Sequence, residues 1–474
     1  MSSTMATTEL ASSSPASLPP AAATKQPGVL YMLFSTEAWE RFSYYGMRAI
    51  LVLYMTKVLT FEQSSASKIY GWYTGLVYLT PLLGGWLADR ALGYRKAIIL
   101  GGFVMAAGEF ALATGTVPGF WLGLGLLILG NGFFKPNIST IVGTLYEDGD
   151  TRRDRGFTIF YMGINLGAFF SPIICGQMLA ENTARFGFHS FNYGFAAAGV
   201  GMLVGNLTFI IGQKFLGKRG RTPREMAADA QVPAARADSA TKAKKVAEPS
   251  APLTKEEVER VIAIFIVGIF VVFFWMAFEQ AGNTMTTWAD TKTNQDVFGL
   301  FQAKASLFQA VNPLFVVSLA PVVSWVWKIL EEKNLEPSTP AKMVLGISLV
   351  GVGFIPMVMA AMVAGDHGKA SWVFLVATYL LHTIGELCLS PVGLSLVTKL
   401  APKKLAALLM GVWFLAVFAG NFLAGQVGSL YESMSQEPGG YVKFFSIFVA
   451  TSLGAALVMF VALKPIKRLM HGVH

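Results

Sequence analysis

Long apolar stretches alternate with short polar ones along most of the chain. From about residue 30 to 468, apolar runs of about 20 residues or more recur, and a helix of that length crosses a hydrocarbon core of roughly 30 Å. A sustained period of two, the mark of barrel strands, is absent from the sequence. The pattern predicts an all-α membrane protein with twelve spans, near 30–57, 66–90, 94–116, 118–146, 153–181, 191–215, 258–288, 299–330, 341–364, 371–399, 404–431 and 441–464.

Polar intervals divide the chain into two halves. Residues 1–28 are rich in Ser, Ala, Thr and Pro, and they lack the charged start and apolar centre of a signal peptide. They predict a disordered tail. Residues 216–256 are polar and predict a flexible linker. Two bundles of six helices are then expected at 29–215 and 257–468, followed by a short tail at 469–474.

Two short sequence similarities relate the halves to each other. Tyr78 to Pro81 in the second span resembles Ser318 to Pro321 in the eighth. In both the fourth and the tenth span, a Gly precedes a Pro by six residues. Both similarities have the same offset of six spans, which is expected for parallel repeats around a central cavity. This arrangement is typical of transporters.

Composition and charge agree with a membrane protein. The 474 residues are 54% hydrophobic and 14% charged, with a mean hydropathy of +0.53. Most of the 37 Lys and Arg residues lie near span ends on the side of both termini, which predicts that both termini are cytoplasmic. This topology accounts for the net charge of +9, so nucleic acid is not expected as a partner. A phosphate-binding G-x-x-x-x-G-K-[ST] loop is absent from the sequence, so ATP is not expected either.

The two cysteines, Cys175 and Cys388, fall inside apolar segments, in a spacing that suggests neither a metal site nor a redox site. We therefore expect both to pack in the protein interior.

Several ionisable side chains lie within predicted spans, where each one costs about 2.5 to 3.5 kcal/mol on insertion scales. In the first span they share an arc of about 140°, so that face must contact protein or water. These groups could simply hold helices together, but neutral polar side chains would do so at a lower cost, which favours a function. The groups are Glu37, Glu40, Arg41, Arg48, Lys135, Glu279 and Glu386, with Glu109 as a less central case.

A cavity with both signs of charge would suit a zwitterionic solute. Arg41 and Lys135 would bind a carboxylate, and Glu386 would bind an ammonium group. A carboxylate that changes its salt-bridge partner also changes its affinity for protons. The residues themselves therefore suggest a transporter coupled to a proton gradient.

Three motifs resemble those of the proton-dependent oligopeptide transporter (POT or PTR) family of the major facilitator superfamily. Residues 37–42, EAWERF, resemble the family signature E-x-x-E-R-[FY], and its Tyr-Tyr-Gly continuation follows at 44–46. Residues 160–167, FYMGINLG, resemble the signature F-Y-x-x-I-N-x-G. Residues 84–96 resemble a cytoplasmic motif of the whole superfamily.

The resemblance implies a major facilitator fold and proton-coupled import of di- and tripeptides by alternating access, with no cofactor, metal or enzymatic activity. Glu37, Glu40, Arg41, Lys135 and Glu279 would couple protons to transport, and Arg48 with Glu279 would form a gating salt bridge. The implied substrate-binding residues are Arg41, Tyr44, Tyr45, Tyr78, Lys135, Tyr161, Asn165, Trp275, Asn312, Glu386, Ser390 and Trp413.

Two departures from the family bear on where the protein resides. The interval 216–256 is too polar to hold the two extra helices of many bacterial relatives, and the loop at 364–371 is too short for the extracellular domain of animal relatives. We expect a monomer in a bacterial inner membrane.

Three other functions would fit parts of the sequence. A carrier of nitrate or another small anion would not need Glu386, and such relatives tend to lose the E-x-x-E-R pattern. A ligand-sensing receptor on the same scaffold would carry a signalling domain, for which the tail and linker are too short. A membrane enzyme would need clustered catalytic groups, and His382, four residues before Glu386, is the one candidate. A lone His on a helix is more often a packing residue.

Overall fold

The computed structural model describes residues 25–147, 150, 152–221, 253–402 and 404–472. Most of the predicted N-terminal tail, most of the linker and the end of the C-terminal tail lie outside these ranges, at 1–24, 222–252 and 473–474.

Long helices build the first half of the protein. Its spans 1 to 6 are Val29–Lys57, Gln63–Leu87, Tyr94–Leu112, Val117–Gly143, Arg153–Ser171 continued by a π-helix at Pro172–Ala180, and Ser190–Gly212. Shorter helical pieces lie between or after them, at Ala88–Leu92, Thr183–Phe186, Gly187–His189 and Gln213–Leu216.

The second half repeats this plan with more interruptions. Its spans 7 to 12 are Lys255–Phe278 with Glu279–Gly282 and Thr284–Thr291, Ala305–Ala310 with Val311–Glu332, Thr339–Gly353 with Ile355–Ala364, Val373–Leu400, Ala406–Gly428 with Leu430–Ser435, and Gly440–Val461 followed by Leu463–Leu469. Four strands of two residues each complete it: β1 Thr293–Asn294, β2 Asp296–Val297, β3 Phe301–Gln302 and β4 Ala370–Ser371. β1 pairs in parallel with β4, and β2 pairs antiparallel to β3.

Nine helices in the described part of the chain are long and apolar enough to cross a membrane by length and composition. Spans 1 and 3 carry too many charged residues to qualify, and span 2 is rich in Ser, Gly and Tyr. In span 1, these charges include Glu37, Glu40, Arg41 and Arg48, which the sequence marks as functional candidates. The chain is a multi-pass membrane protein.

The helices of the two halves pack in corresponding pairs. Within the first bundle, span 1 packs against spans 5 and 6, and span 4 packs against spans 2 and 3. The second bundle has the same pairs with an offset of six: span 7 with 11 and 12, and span 10 with 8 and 9. The bundles meet where span 2 contacts span 11 and span 5 contacts span 8, two pairs that the repeat also relates. This is the two-bundle arrangement of a major facilitator fold.

Because successive spans alternate in direction, the loops divide between two faces. We call the face with residues 57–63, 181–190 and 291–305 the far side, and the face where span 1 begins and span 12 ends the termini side.

One predicted helix boundary in the second half is wrong, and one predicted span is interrupted. Span 8 begins at Ala305, whereas the apolar pattern places its start at 299. The intervening residues form the β2–β3 hairpin, in which Phe298 and Gly299 have φ angles of 54° and 74°, outside the helical region. Span 7 is not continuous, because it is broken at Glu279–Gly282 and at Asn283, whose φ and ψ of −116° and −104° are not helical.

Candidate functional site

A cavity of about 320 Å³ lies between the two bundles. Its walls come from spans 1, 2, 4 and 5 of the first bundle and from spans 7, 8, 10 and 11 of the second. The walls combine charged groups with aromatic rings, a composition that orients a polar solute and still accepts apolar groups. Of the predicted binding residues, the cavity brings together Arg41, Tyr45, Tyr78, Lys135, Tyr161, Asn165, Trp275, Asn312, Glu386, Ser390 and Trp413.

Tyr44 is the predicted binding residue that does not line the cavity. Its side chain is 3% exposed, and its ring lies 6.5 Å from that of Tyr73 in a stacked arrangement. The ring also lies 4.9 Å from the guanidinium carbon of Arg41. Tyr44 therefore supports Arg41 from behind the wall through a cation–π contact.

The first charged group of the site joins spans 1 and 4. The Arg41 guanidinium forms a bidentate salt bridge with the two carboxylate oxygens of Glu40. Its Nε also lies 3.6 Å from Glu37 Oε1. Lys135 Nζ of span 4 bonds to the same oxygen of Glu37. Both carboxylates are fully buried, whereas Arg41 and Lys135 reach the cavity. The acids predicted to couple protons thus lie directly behind the cations predicted to bind substrate.

The second charged group crosses between the bundles. Arg48 Nη2 of span 1 lies 2.9 Å from Glu279 Oε2 of span 7, at the place where span 7 is broken. Tyr70 of span 2 completes the group: its hydroxyl accepts a hydrogen bond from Arg48 Nε at 2.8 Å and donates to Glu279 Oε2 at 3.1 Å. All three side chains are buried. The predicted Arg48–Glu279 pair is present in this structure and holds two bundles together.

The third group lies in the second bundle. Asn312 Nδ2 of span 8 donates to Glu386 Oε2 at 2.9 Å and to Thr383 Oγ1 at 3.0 Å, both on span 10. Among the described residues, no cation lies within salt-bridge distance of Glu386. The carboxylate therefore faces the cavity with a neutral partner, which leaves it able to bind a cationic group.

Four polar atoms of cavity-lining residues have no hydrogen-bond partner among the described residues: Trp275 Nε1, Ser390 Oγ and the two ring nitrogens of His382. A bound molecule with polar atoms could supply these partners, because unpaired buried groups are costly.

Two other predicted candidates lie apart from these groups. Glu109 of span 3 is buried outside the cavity, where Ser43 Oγ donates to it at 3.2 Å. His382 lies in the wall with its ring packed 4.8 Å from that of Phe354. A Cβ on Gly353 would come 2.5 Å from the His382 ring, so the imidazole is pressed against span 9. This packing agrees with the structural interpretation of His382.

Several functional contacts were not expected from the sequence. Tyr70 has no motif of its own, and its role depends on how span 2 is rotated towards spans 1 and 7. Gln309 is another cavity residue, and its Nε2 donates to the Ala49 carbonyl at 3.3 Å, from one bundle to the other. The signal for Tyr70 in the sequence is its spacing: Ser67, Tyr70 and Thr74 lie one helical turn apart on the weakly apolar span 2.

Hydrogen bonds and ion pairs between the bundles cluster towards the far side. Ser67 Oγ donates to Asn283 Oδ1 at 2.8 Å, and Thr287 Oγ1 donates to Gln63 Oε1 at 3.0 Å. Ser64 N–H, at the start of span 2, donates to Glu432 at 3.3 Å. The far side of the cavity is closed in this structure.

Known proteins share both the sequence and the fold. A family model described as the POT family matches residues 95–447. The transporter YclF of Bacillus subtilis, described as uncharacterized, is 36% identical over 94% of this chain and 96% of its own length. A di-/tripeptide transporter of Lactococcus lactis subsp. lactis is 33% identical over 94% of this chain and 97% of its own.

A solved structure agrees with these relatives. The crystal structure of a peptide transporter POT in complex with sulfate matches with a TM-score of 0.81 and 36% sequence identity, over 96% of this chain and 98% of that chain. The resemblance drawn from the motifs is confirmed, and the chain belongs to the POT family of membrane transporters.

Proposed function

We propose that this protein imports di- and tripeptides together with protons by alternating access. The observation that carries the proposal is the charge separation across the cavity: Arg41 and Lys135 belong to the first bundle, and Glu386 belongs to the second. A zwitterionic peptide would place its carboxylate at the two cations and its ammonium group at Glu386. The description of the Lactococcus lactis relative as a di-/tripeptide transporter supports this substrate class.

Proton coupling would come from competition for the same cations. Glu37 and Glu40 are neutralised by Arg41 and Lys135. A substrate carboxylate that binds these cations weakens their pairing with the two buried acids, and a buried acid without a cation favours its protonated form. Substrate binding and proton uptake would then promote each other.

Opening of the far side would separate Arg48 from Glu279, since these residues belong to different bundles. Glu279 would then be a second carboxylate whose proton affinity depends on the conformation.

A single chain lines the whole cavity from both bundles, which supports a monomer as the transport unit. We place the protein in a bacterial inner membrane with both termini in the cytoplasm, because basic residues gather on the termini side. They include Arg90, Arg95, Lys96, Arg153, Arg155, Lys399, Lys464, Lys467 and Arg468.

The test is uptake of labelled dialanine into liposomes with an inward proton gradient and a negative interior. A driving force of 100 mV supplies about 2.3 kcal/mol per proton, enough for roughly fifty-fold accumulation at one proton per peptide. We expect accumulation above equilibrium that a protonophore abolishes. Glu386→Gln should abolish most of it, while Glu437→Gln, an exposed far-side acid paired with Lys443, should not.

Modified substrates test the binding mode. N-acetyl-dialanine lacks the ammonium group and should compete poorly with dialanine in wild type. Equal competition by the acetylated peptide would contradict the role of Glu386. If no dipeptide accumulates or competes, the peptide assignment fails, and uptake of nitrate would then favour the anion alternative.

A further inference from the structure

A second polar contact between the bundles lies on the far side, away from the cavity and from Arg48. It joins the end of span 5 to the start of span 8. Gln177 Nε2 donates to the Gln302 carbonyl at 2.8 Å, and Gln177 Oε1 accepts from the Lys304 N–H at 2.7 Å. One amide side chain of the first bundle thus makes two hydrogen bonds to the backbone that precedes span 8.

Glu181 extends this contact by one turn. Its Oε1 accepts from the Ala305 N–H at 3.2 Å, and its Oε2 accepts from the Ser306 N–H at 2.8 Å. Ala305 is the first residue of span 8, where the N–H groups of a helix have no partner within the helix. A carboxylate at this position is favoured by both the hydrogen bonds and the helix dipole. The cap of a helix in the second bundle is therefore supplied by the first bundle.

The local backbone is shaped for this contact. Residues 172–180 form a π-helix, an uncommon form that often occurs at functional positions. The Glu181 N–H bonds to the Gly176 carbonyl at 3.0 Å, which fixes the start of the carboxylate side chain. A Cβ on Gly176 would lie 2.1 Å from Ser306 Oγ, so the missing side chain allows span 8 to approach this closely.

A cap that served only to stabilise the helix would normally come from the residue just before it. Here that residue, Lys304, makes no side-chain cap. The other ionic contact nearby, between Lys57 and Asp290, is more open to solvent, with Lys57 43% exposed, and exposed pairs contribute little. The Lys57–Asp290 pair joins spans 1 and 7, so the partly buried Glu181 contact is the stronger of these two polar links between the bundles on this face.

We propose that Glu181, assisted by Gln177, is a positioning residue of the transport cycle that latches span 5 to span 8 when the far side is closed. When the far side opens, spans 5 and 8 move apart, and the first turn of span 8 loses its cap. This inference rests on the proposed alternating access, because it assigns the latch to one of the two states.

Protonation of Glu181 is coupled to this movement. Burial raises the pKa of its carboxyl group, and the hydrogen bond from the Ser306 N–H opposes the rise. Lys57 at the end of span 1 lowers the pKa, and Asp290 at the end of span 7 raises it. An acid whose pKa is higher in the closed state than in the solvated open state holds its proton more tightly when closed, so acid favours closure.

The test is a distance measurement between spin labels on the two bundles in liposomes. Ala184→Cys after span 5 and Leu300→Cys in the β2–β3 hairpin are exposed positions, whereas the native Cys175 and Cys388 are buried. The labelled pair is compared in four backgrounds: wild type, Glu181→Ala, Glu181→Gln and Glu437→Ala. The last one removes an acid on the same face whose partner, Lys443, lies in its own bundle.

We expect Glu181→Ala to move the distance distribution towards longer values, with the closed-to-open ratio lowered about ten-fold or more, because two hydrogen bonds to a charged group are lost. Glu181→Gln keeps one acceptor oxygen and, like the protonated acid, has no charge to bury, so it should stay closed at least as well as wild type. Glu437→Ala should match wild type.

Two results would overturn the latch. One is a Glu181→Ala distance distribution equal to that of Glu437→Ala. The other is a general broadening of the Glu181→Ala distance distribution together with a lower melting temperature. Neither depends on the substrate. If the Glu181→Ala protein opens as expected but wild type transports no peptide, the latch proposal stands and the peptide assignment fails.

Discussion

Gly71 of span 2 and Gly425 of span 11 form a close backbone contact between the bundles on the far side. A Cβ on Gly71 would lie 2.6 Å from the Gly425 Cα and 2.8 Å from its N. These are backbone atoms that cannot rotate away, so Gly71→Ala must separate spans 2 and 11. Overpacking of this kind costs about 1 to 3 kcal/mol. The closed-to-open ratio should therefore fall roughly 5- to 150-fold.

Two other alanine variants separate a change of state from a loss of stability. Gly84→Ala would bring its Cβ 1.9 Å from the Gly132 carbonyl oxygen, inside the first bundle. Every conformation needs that packing, so the melting temperature should fall without a shift of the far-side distance. Gly125→Ala meets no atom within 4 Å, and it should be neutral or stabilising by up to about 1 kcal/mol through helix propensity.

The assay combines thermal unfolding with the spin-label distance across the far side. We expect Gly71→Ala to lengthen the distance while its melting temperature stays close to that of Gly125→Ala. If Gly71→Ala instead behaves like Gly84→Ala, with a lower melting temperature and an unchanged distance, then the contact between Gly71 and Gly425 belongs to both states. The assignment of this contact to far-side closure would then be wrong.

Three further predictions concern the polar contacts between the bundles. Tyr70→Phe removes two hydrogen bonds but leaves the Arg48–Glu279 pair, and it should weaken the closed state by about 1 to 3 kcal/mol in the same distance measurement. Glu279→Gln leaves a buried Arg48 without its anion, so the closed state should be destabilised by about 3 to 5 kcal/mol. In a double-mutant cycle, the addition of Arg48→Gln should reduce this destabilisation. Because the pKa of Glu181 is raised in the closed state, lowering the pH should favour closure in wild type. This dependence should be weaker in Glu181→Gln, and an identical pH profile in the two proteins would contradict the coupling.

Much of the fold follows from properties of single helices. The apolar period and length of each segment decide whether it crosses a membrane, so most span ends agree with the structure to within about four residues. The start of span 8 does not, because the apolar residues Phe298, Leu300 and Phe301 belong to the β2–β3 hairpin, where they are at least half exposed. Hydropathy alone cannot distinguish an exposed apolar turn from the first turn of a span. The break in span 7 lies in the polar stretch at 279–284, where Gly282 and Asn283 were included in the span on its length alone.

Contacts of the candidate site were also predictable only where they lie within one helix or are implied by the family resemblance. The contact of Glu37 with Arg41 follows from a spacing of four residues on one helix, and Arg48 with Glu279 was implied by the family resemblance. Tyr70, Gln177 and the capping role of Glu181 were missed, because each depends on the rotation and height of one helix relative to another. Glu181 in particular resembles an ordinary solvated acid at a helix end.

Three of the contacts that close the far side differ in chemistry, and this difference assigns them different roles. Spans 2 and 11 meet through glycine backbones, whose tight packing specifies a distance but carries no charge. Arg48 and Glu279 are fully buried, so their separation needs a compensating charge or proton, and this pair can sense the state of the cavity. Glu181 is partly buried at the rim, where far-side protons reach it first. Protons can therefore stabilise closure at the rim before the buried pair has changed, whereas release of the buried pair depends on what the cavity holds. A transporter that must close only when loaded requires both kinds of contact, and a variant in only one of them should uncouple closure from either the proton or the substrate.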